Sequence, residues 1–277
     1  MRDTLRLCLV QMTSAKRAED NIPVLEAAVA HAVAEGCAMV ALPETAGLMN
    51  RHGDEARADA RPPGDALWSA ACRRLAARHR LWIHCGSTAV LGPDGKFLNR
   101  SLLVDDTGAD VATYDKIHLF DAAPDGRPTG ESDWYAAGDR AVLAQTPWGP
   151  MGLSICYDLR FPQLYRALGQ AGARVLFVPS AFMVPTGAAH WEVLLRARAI
   201  ENAAFVVAAA QVGRHEDGRR TWGHAMVVAP WGEVIRDMGG DAPGCAVIDL
   251  DLTEAEAARR RIPALDHDRP FAPPRRG

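Results

Sequence analysis

Residues 154–163 read SICYDLRFPQ, and here an apolar run meets polar and charged residues with a single thiol, Cys156, at the junction. Residues 151–156 (MGLSIC) predict a short buried strand. Residues 162–172 (PQLYRALGQAG) predict a helix that opens on a proline and stops at Gly172. A strand that halts at a cysteine just before a helix is one unit of an alternating α/β chain. It also brings the sulfur close to free backbone N–H groups, a setting that lowers a thiol pKa and can hold an oxyanion. The alternative, a small core cysteine, stays open on this stretch alone, although the polar residues that follow argue against full burial.

The alternation continues on both sides. Upstream, residues 5–11 (LRLCLVQ) predict a first strand. A helix capped by Asn21, with Pro23 in its first turn and Gly36 past its end, follows. Residues 38–44 (AMVALPE) predict a buried strand stopped by Pro43. Asp65 is expected to cap a helix reaching about His79, and residues 81–87 (LWIHCGS) predict the next strand. The turn sequences GPDGK (92–96) and DTGAD (106–110) flank FLNRSLLVDD, the pattern of an antiparallel meander. Downstream come a strand at 174–180, a helix at 189–203, a strand at 205–211, a hairpin around Pro230, Trp231 and Gly232, and a last strand at 244–252 before a short helix from Thr253. Periodicity leaves open whether these strands form one sheet or two. The segment 120–138, rich in Asp, Gly and Pro, is long for a connection, and such loops are more often functional than idle.

With 277 residues, 48% of them hydrophobic, the chain can bury a large core. A formal net charge of −3 shows no basic excess that would suit nucleic acid or an anionic membrane, and no apolar run reaches transmembrane length. The six cysteines, Cys8, Cys37, Cys72, Cys85, Cys156 and Cys245, contain no C-x-x-C pair, so neither a zinc nor a redox motif is expected, and a reducing, cytoplasmic setting fits. H-E-x-x-H, G-x-G-x-x-G, the P-loop and G-x-S-x-G are absent. Asn99 begins a glycosylation-like NRS triplet, without meaning in a cytosolic chain.

Glu44 stands just past a predicted buried strand, at the carboxyl edge of a sheet, where α/β sites form. On position alone the reading as a capping or loop glutamate is favoured. Lys116, in YDKIHLFD, follows a probable strand and leads into the long polar loop that carries Glu131. His118 and His190 are marked by no local pattern as a base. Each residue is weak alone. Together, a carboxylate, an ammonium and a thiol at strand ends are the inventory for covalent acyl transfer.

The segments LPE at Glu44, YDKIHLFD at Lys116 and CYDLRFPQLYR at Cys156 resemble the three signatures of the nitrilase superfamily of carbon–nitrogen hydrolases, in the same order and at similar separations over nearly the whole chain. The second half is similar to the Nit branch, more to its deaminated-glutathione amidase group than to its omega-amidase group. Two positions depart from the pattern: Gln163 stands where Glu is usual, and Ala188 where Pro is common. The resemblance implies one domain over residues 1–277, built as a four-layer α-β-β-α sandwich, in a homodimer or larger homo-oligomer. It implies a Glu44–Lys116–Cys156 triad, with Glu131 as a second glutamate beside the lysine. The expected reaction is hydrolysis of a small carboxamide to carboxylate and ammonia through a cysteine thioester, with the Tyr157 backbone N–H helping Lys116 to hold the oxyanion. Only the amide and water are needed as partners, and neither metal nor organic cofactor is expected. Deaminated glutathione is the favoured substrate; 2-oxoglutaramate, 2-oxosuccinamate or a nitrile are the alternatives, and a silent scaffold is a further one. A substrate carboxylate suits a guanidinium, for which Arg160 is the candidate unless it pairs with Asp158, while Phe182 and Thr186 are candidates for the acyl pocket.

Overall fold

The structure, a computed structural model, describes residues 1–92, 94–123, 126 and 129–275. Pro93 of the expected 92–96 turn, and four residues of the expected 120–138 loop, lie outside that set. The strands are β1 (Thr4–Met12), β2 (Met39–Ala41), β3 (Trp82–Leu91), β4 (Phe97–Val104), β5 (Asp110–Asp115), the short pair β6 (Asp121–Ala122) and β7 (Thr129–Gly130), β8 (Val142–Thr146), β9 (Gly149–Leu153), β10 (Val175–Phe177), β11 (Phe205–Ala208), β12 (Ala210–Arg214), β13 (Arg220–Trp222), β14 (Met226–Val228), β15 (Val234–Asp237) and β16 (Gly244–Asp251). The helices are α1 (Ala18–Ala34), α2 (Gly53–Asp59), α3 (Leu67–His79), the single turn α4 (Glu131–Trp134), α5 (Pro162–Gln170), α6 (Val184–Asn202) and α7 (Thr253–Arg261).

Two sheets form. The first runs β13-β12-β1-β2-β3-β4-β5, with β16 antiparallel along β1; the second runs β15-β14-β11-β10-β9-β8. The side-chain alternation of β1 shows how they stack. Leu5, Leu7 and Leu9 join the core shared with the second sheet, while Cys8, Val10 and Met12 join the core under α1 and α3. A strand covered on both faces has apolar residues at odd and even positions alike. Between the sheets, Trp82 meets Trp148 edge-on at 5.7 Å and His84 stacks on Phe177 at 4.3 Å. On the outer face of the second sheet, α5 and α6 supply Leu164, Leu168, Trp191 and Leu195. The layers are therefore α-β-β-α, the sandwich that the resemblance implied.

The one strand expected at 205–211 is in fact two strands. β11 belongs to the second sheet and β12 to the first, and the chain passes between them at Ala209. Asn21 does not cap α1. The helix begins at Ala18, and Asn21 lies inside it, buried, with its carboxamide bonded to Ala15 N and to the carbonyls of Ala15, Arg17 and Gly47. Asp65 ends a 3₁₀ turn (Pro63–Asp65), and α3 starts at Leu67 with Ala66 in the capping position and no side-chain cap. The short polar α2 was not anticipated. Among the described residues, no helix is long and apolar enough to cross a membrane.

His84 is enclosed between the sheets, with Nε2 3.2 Å from Ser101 Oγ and no partner for Nδ1 among the described residues. Burial pushes its pKa down from 6.5 to about 3. Above pH 6.5 neither folded nor unfolded chain is charged here. Below it, the unfolded imidazole takes up a proton that the folded one refuses until about pH 3. Stability is therefore lost by about 1.4 kcal/mol per pH unit as pH falls through this window. Chemical denaturation at pH 7 and pH 5 should show a smaller gap, by about 2 kcal/mol, for His84→Phe than for the unmodified protein; an unchanged gap would show that His84 titrates normally.

Candidate active site

The parallel strands of both sheets point their carboxyl ends at one cavity of about 330 Å³. Glu44 follows β2, Lys116 follows β5, Cys156 follows β9 and Ala181 follows β10, and all four line this cavity together with Glu131. The sequence candidates Tyr157, Arg160, Phe182 and Thr186 line it too.

Glu44 is held at a tight corner. Pro43 O accepts from Ser87 N, Ser87 Oγ accepts from Thr45 N, and Glu44 O accepts from the Gln211 carboxamide. Only glycine fits opposite this corner: Gly86 has φ +64°, and a Cβ there would stand 2.0 Å from Pro43 O. The Glu44 carboxylate, 4% exposed, accepts from Lys116 Nζ (2.9 Å) and Asn99 Nδ2 (3.0 Å) on Oε1, and from Ala181 N (3.0 Å) on Oε2. Lys116 Nζ also contacts both oxygens of Glu131, at 3.1 and 2.9 Å, and Glu131 Oε2 accepts from Phe120 N. Burial opposes the lysine charge, but Glu131 and Glu44 outweigh it and raise its pKa well above the usual value.

Cys156 takes a left-handed φ of +49°, as Thr45 does at +53° beside Glu44. For a residue with a side chain this conformation costs about 1–2 kcal/mol, and it persists because its surroundings over-determine it. Cys156 N bonds Pro179 O, and Arg198, nearly buried in α6, donates twice to Leu159 O. The fully buried carboxylate of Asp158 does most of the fastening. It accepts from Ile155 N, Tyr114 OH, His118 N and His118 Nδ1. Asp158 thus ties the cysteine turn to the segment that carries Lys116. The Tyr157 N–H precedes the first bond of the 3₁₀ turn, Asp158 N to Ile155 O, and so has no partner within that turn. Burial pushes the Cys156 thiol well above its usual pKa; Glu44 adds to the rise and Lys116 opposes it.

Asp158 is thereby engaged elsewhere and does not pair with Arg160. Arg160 lies 5.9 Å over the Tyr157 ring and 5.5 Å over that of Phe182, and Nη1 is 3.2 Å from His190 Nδ1. Among the described residues no carboxylate lies within ion-pair distance of it. His118 and His190 are occupied by Asp158 and Arg160, and neither lines the cavity. Thr186 Oγ1 bonds Met183 O, and Phe182 packs on Trp191. Sequence reasoning gave no site role to Asn99, Arg51 or Arg219, and weighed Asp158 only as a partner for Arg160. Asn99 carried no distinguishing signal, since Arg100 and Ser101 follow it in the same strand.

The carbon–nitrogen hydrolase family model matches residues 6–260. A deaminated glutathione amidase of Yersinia enterocolitica is 40% identical over 268 residues, 95% of this chain and 92% of that one. The crystal structure of the C. elegans NitFhit protein superposes with a TM-score of 0.88 at 36% identity; the match covers 96% of this chain but 65% of that longer one. Saccharomyces cerevisiae Nit3, described as a member of branch 10 of the nitrilase superfamily, superposes with a TM-score of 0.85 at 25% identity over 95% of this chain and 96% of its own.

Because the negative charge of Glu44 raises the thiol pKa and Lys116 lowers it, Glu44→Gln should move the pH midpoint of Cys156 alkylation by iodoacetamide to lower pH. Peptide mapping across a pH series reads this directly. A midpoint that stays put or rises would mean that the thiol does not sense Glu44.

Proposed function

The chain belongs to the carbon–nitrogen hydrolase family and hydrolyses non-peptide carbon–nitrogen bonds in amides; we propose that Cys156 is its nucleophile and that deaminated glutathione is its substrate. One observation carries the first part: Glu44, Lys116 and Glu131 form a single hydrogen-bonded cluster on the wall of the cavity that also holds the Cys156 thiol. The name carried by relatives about 40% identical over most of the chain supports the second.

The chemistry follows from the charges. A thiol raised above its usual pKa is not a thiolate at neutral pH, so it needs a base at the moment of attack. Glu44 takes the Cys156 proton as sulfur bonds to the amide carbon and the carbonyl electron pair moves to oxygen. The oxyanion is held by the Lys116 ammonium and the Tyr157 N–H; losing one such donor typically costs about 3–4 kcal/mol. Glu131 keeps Lys116 charged and in place. Protonated Glu44 gives its proton to the departing amine as the C–N bond breaks, leaving a thioester. Glu44 then takes a proton from water, which attacks the thioester; collapse expels the sulfur, and the proton returns to it. The products are a carboxylate and an amine. A primary amide yields ammonia, whereas deaminated glutathione yields cysteinylglycine by the same step.

Arg160, unpaired with any described carboxylate, receives the carboxylate of the 2-oxo acid, with Phe182 and Thr186 beside it. The functional unit we infer is one domain over residues 1–277, working in the cytoplasm as a homo-oligomer. The exposed Val193 and Ile200 of α6 and the neighbouring Trp231 support self-association.

The test is a set of turnover assays on deaminated glutathione, 2-oxoglutaramate, 2-oxosuccinamate and a nitrile, with the released acid and amine measured. Deaminated glutathione should give the highest kcat/KM. Cys156→Ala should abolish turnover and any acyl adduct in intact mass spectra, and Glu44→Gln should lower kcat by about 10²–10⁴-fold. Arg160→Met should raise KM by about tenfold or more. Near-normal turnover by Cys156→Ala would end the proposal.

A further inference from the structure

We propose that the cavity has a second carboxylate-binding pole, built by Arg51 and Arg219 and set by Asp217, that receives the carboxylate carried by the leaving amine. This rests on the substrate reading above. Arg51 precedes α2, and Arg219 lies in the hairpin between β12 and β13; both line the cavity of Cys156. Asp217, 3% exposed, joins the two segments. Its Oδ2 accepts from Arg51 N at 3.0 Å and from Arg219 Nε at 2.6 Å, and its Oδ1 accepts from Arg219 N at 3.0 Å.

The pairing takes one edge of Arg219, because Nη2 also lies 2.6 Å from Asp217 Oδ2. The Nη1 amino group has no acceptor among the described residues. Arg51 has no carboxylate within ion-pair distance among them. Its Nη2 lies 3.5 Å from the point where a Cβ on Gly218 would stand, so its head group rests over the turn just before Arg219. Two cations and one buried anion leave this corner with a net positive charge.

The other acids on the cavity wall are engaged elsewhere. Glu44 and Glu131 share Lys116. Asp133 folds back over Gly130, where an added Cβ would meet its Oδ2 at 2.2 Å. The first pole, Arg160, stands with Tyr157, Phe182 and His190 and shares no partner with Arg51 or Arg219. One cavity therefore carries two separate guanidinium sites. A 2-oxo acid amide that releases ammonia has one carboxylate and uses one of them. An amide whose leaving amine ends in a carboxylate, as cysteinylglycine does, uses both. A cavity of about 330 Å³ is at the lower end of the range that holds drug-sized ligands, roomier than a short acid amide requires.

The experiment compares three substrates: deaminated glutathione, its analogue with the terminal carboxylate replaced by a carboxamide, and 2-oxoglutaramate. The unmodified protein should favour the first over the second by about tenfold or more in kcat/KM. Arg51→Gln and Arg219→Gln should each remove most of that preference, chiefly through KM, and leave 2-oxoglutaramate within about twofold. Arg51→Gln carries the test on its own if Arg219→Gln folds poorly, because the Arg51 head group is exposed. Equal losses on all three substrates would make the pair a brace for the hairpin, and no loss on any would remove the pole; either result overturns the proposal. If the unmodified protein prefers 2-oxoglutaramate outright, the substrate reading falls first, in a measurement that involves no variant, and the second pole falls with it.

Discussion

The site depends on one buried ammonium shared by two carboxylates. Lys116 is 3% exposed, and its charge is tolerable there only because Glu44 and Glu131 are both within hydrogen-bond distance. The carboxylates in turn must be satisfied. Glu44 gains an amide donor from Asn99 and a backbone donor from Ala181, and Glu131 gains the Phe120 N–H. These donors come from β4, from the segment after β10 and from the loop after Lys116. The cluster therefore forms only once both sheets have docked, and it acts as a check on the assembled fold.

The same surroundings set the state of the thiol. Burial, with the charge of Glu44 beside it, holds the Cys156 proton on sulfur, and Lys116 pulls the other way. The thiol is therefore neutral at rest, the form less open to alkylation and oxidation. The left-handed backbone at Cys156 and the bonds of Asp158 belong to this arrangement. They fix where the sulfur sits relative to the segment carrying Lys116.

What the sequence made legible was what is encoded locally. The alternation of strands and helices, the stop at Pro43, the hairpin around Trp231 and the glycine ends of α1 and α5 all arise from neighbours in the chain. The second sheet was not legible in the periodicity, because residues 205–210 are apolar throughout; a run buried on both faces shows no break where it leaves one sheet for the other. Asn21 and Asp65 resembled helix caps because their side-chain chemistry suits capping, but tertiary bonds claimed Asn21 and a 3₁₀ turn claimed Asp65. In the site, Glu44, Lys116 and Cys156 stood at strand ends and could be gathered as a set. Glu131 depended on resemblance, since an acid in a polar loop has no local mark. Asp158 was weighed only as a partner for Arg160, while its real partners, Tyr114 and His118, are far away in the chain. Arg51 and Arg219 are exposed or half-exposed arginines in loops, indistinguishable from solvated ones until the fold brings them together.

The crossing at Ala209 links these scales. Ser180 N donates to Ala209 O and Gln211 N to Ser180 O, so the passage between the sheets is stitched to the segment that delivers Ala181. Gln211, fully buried, then reaches Ser14 and the Glu44 carbonyl with its side chain. The hairpin that leaves β12 carries Asp217 and Arg219 to the cavity wall. A single change of sheet thus braces Glu44 from behind and presents a guanidinium at the rim. An insertion at Ala209 would be felt at both places, although the joint itself holds only small apolar side chains and carries no group able to do chemistry.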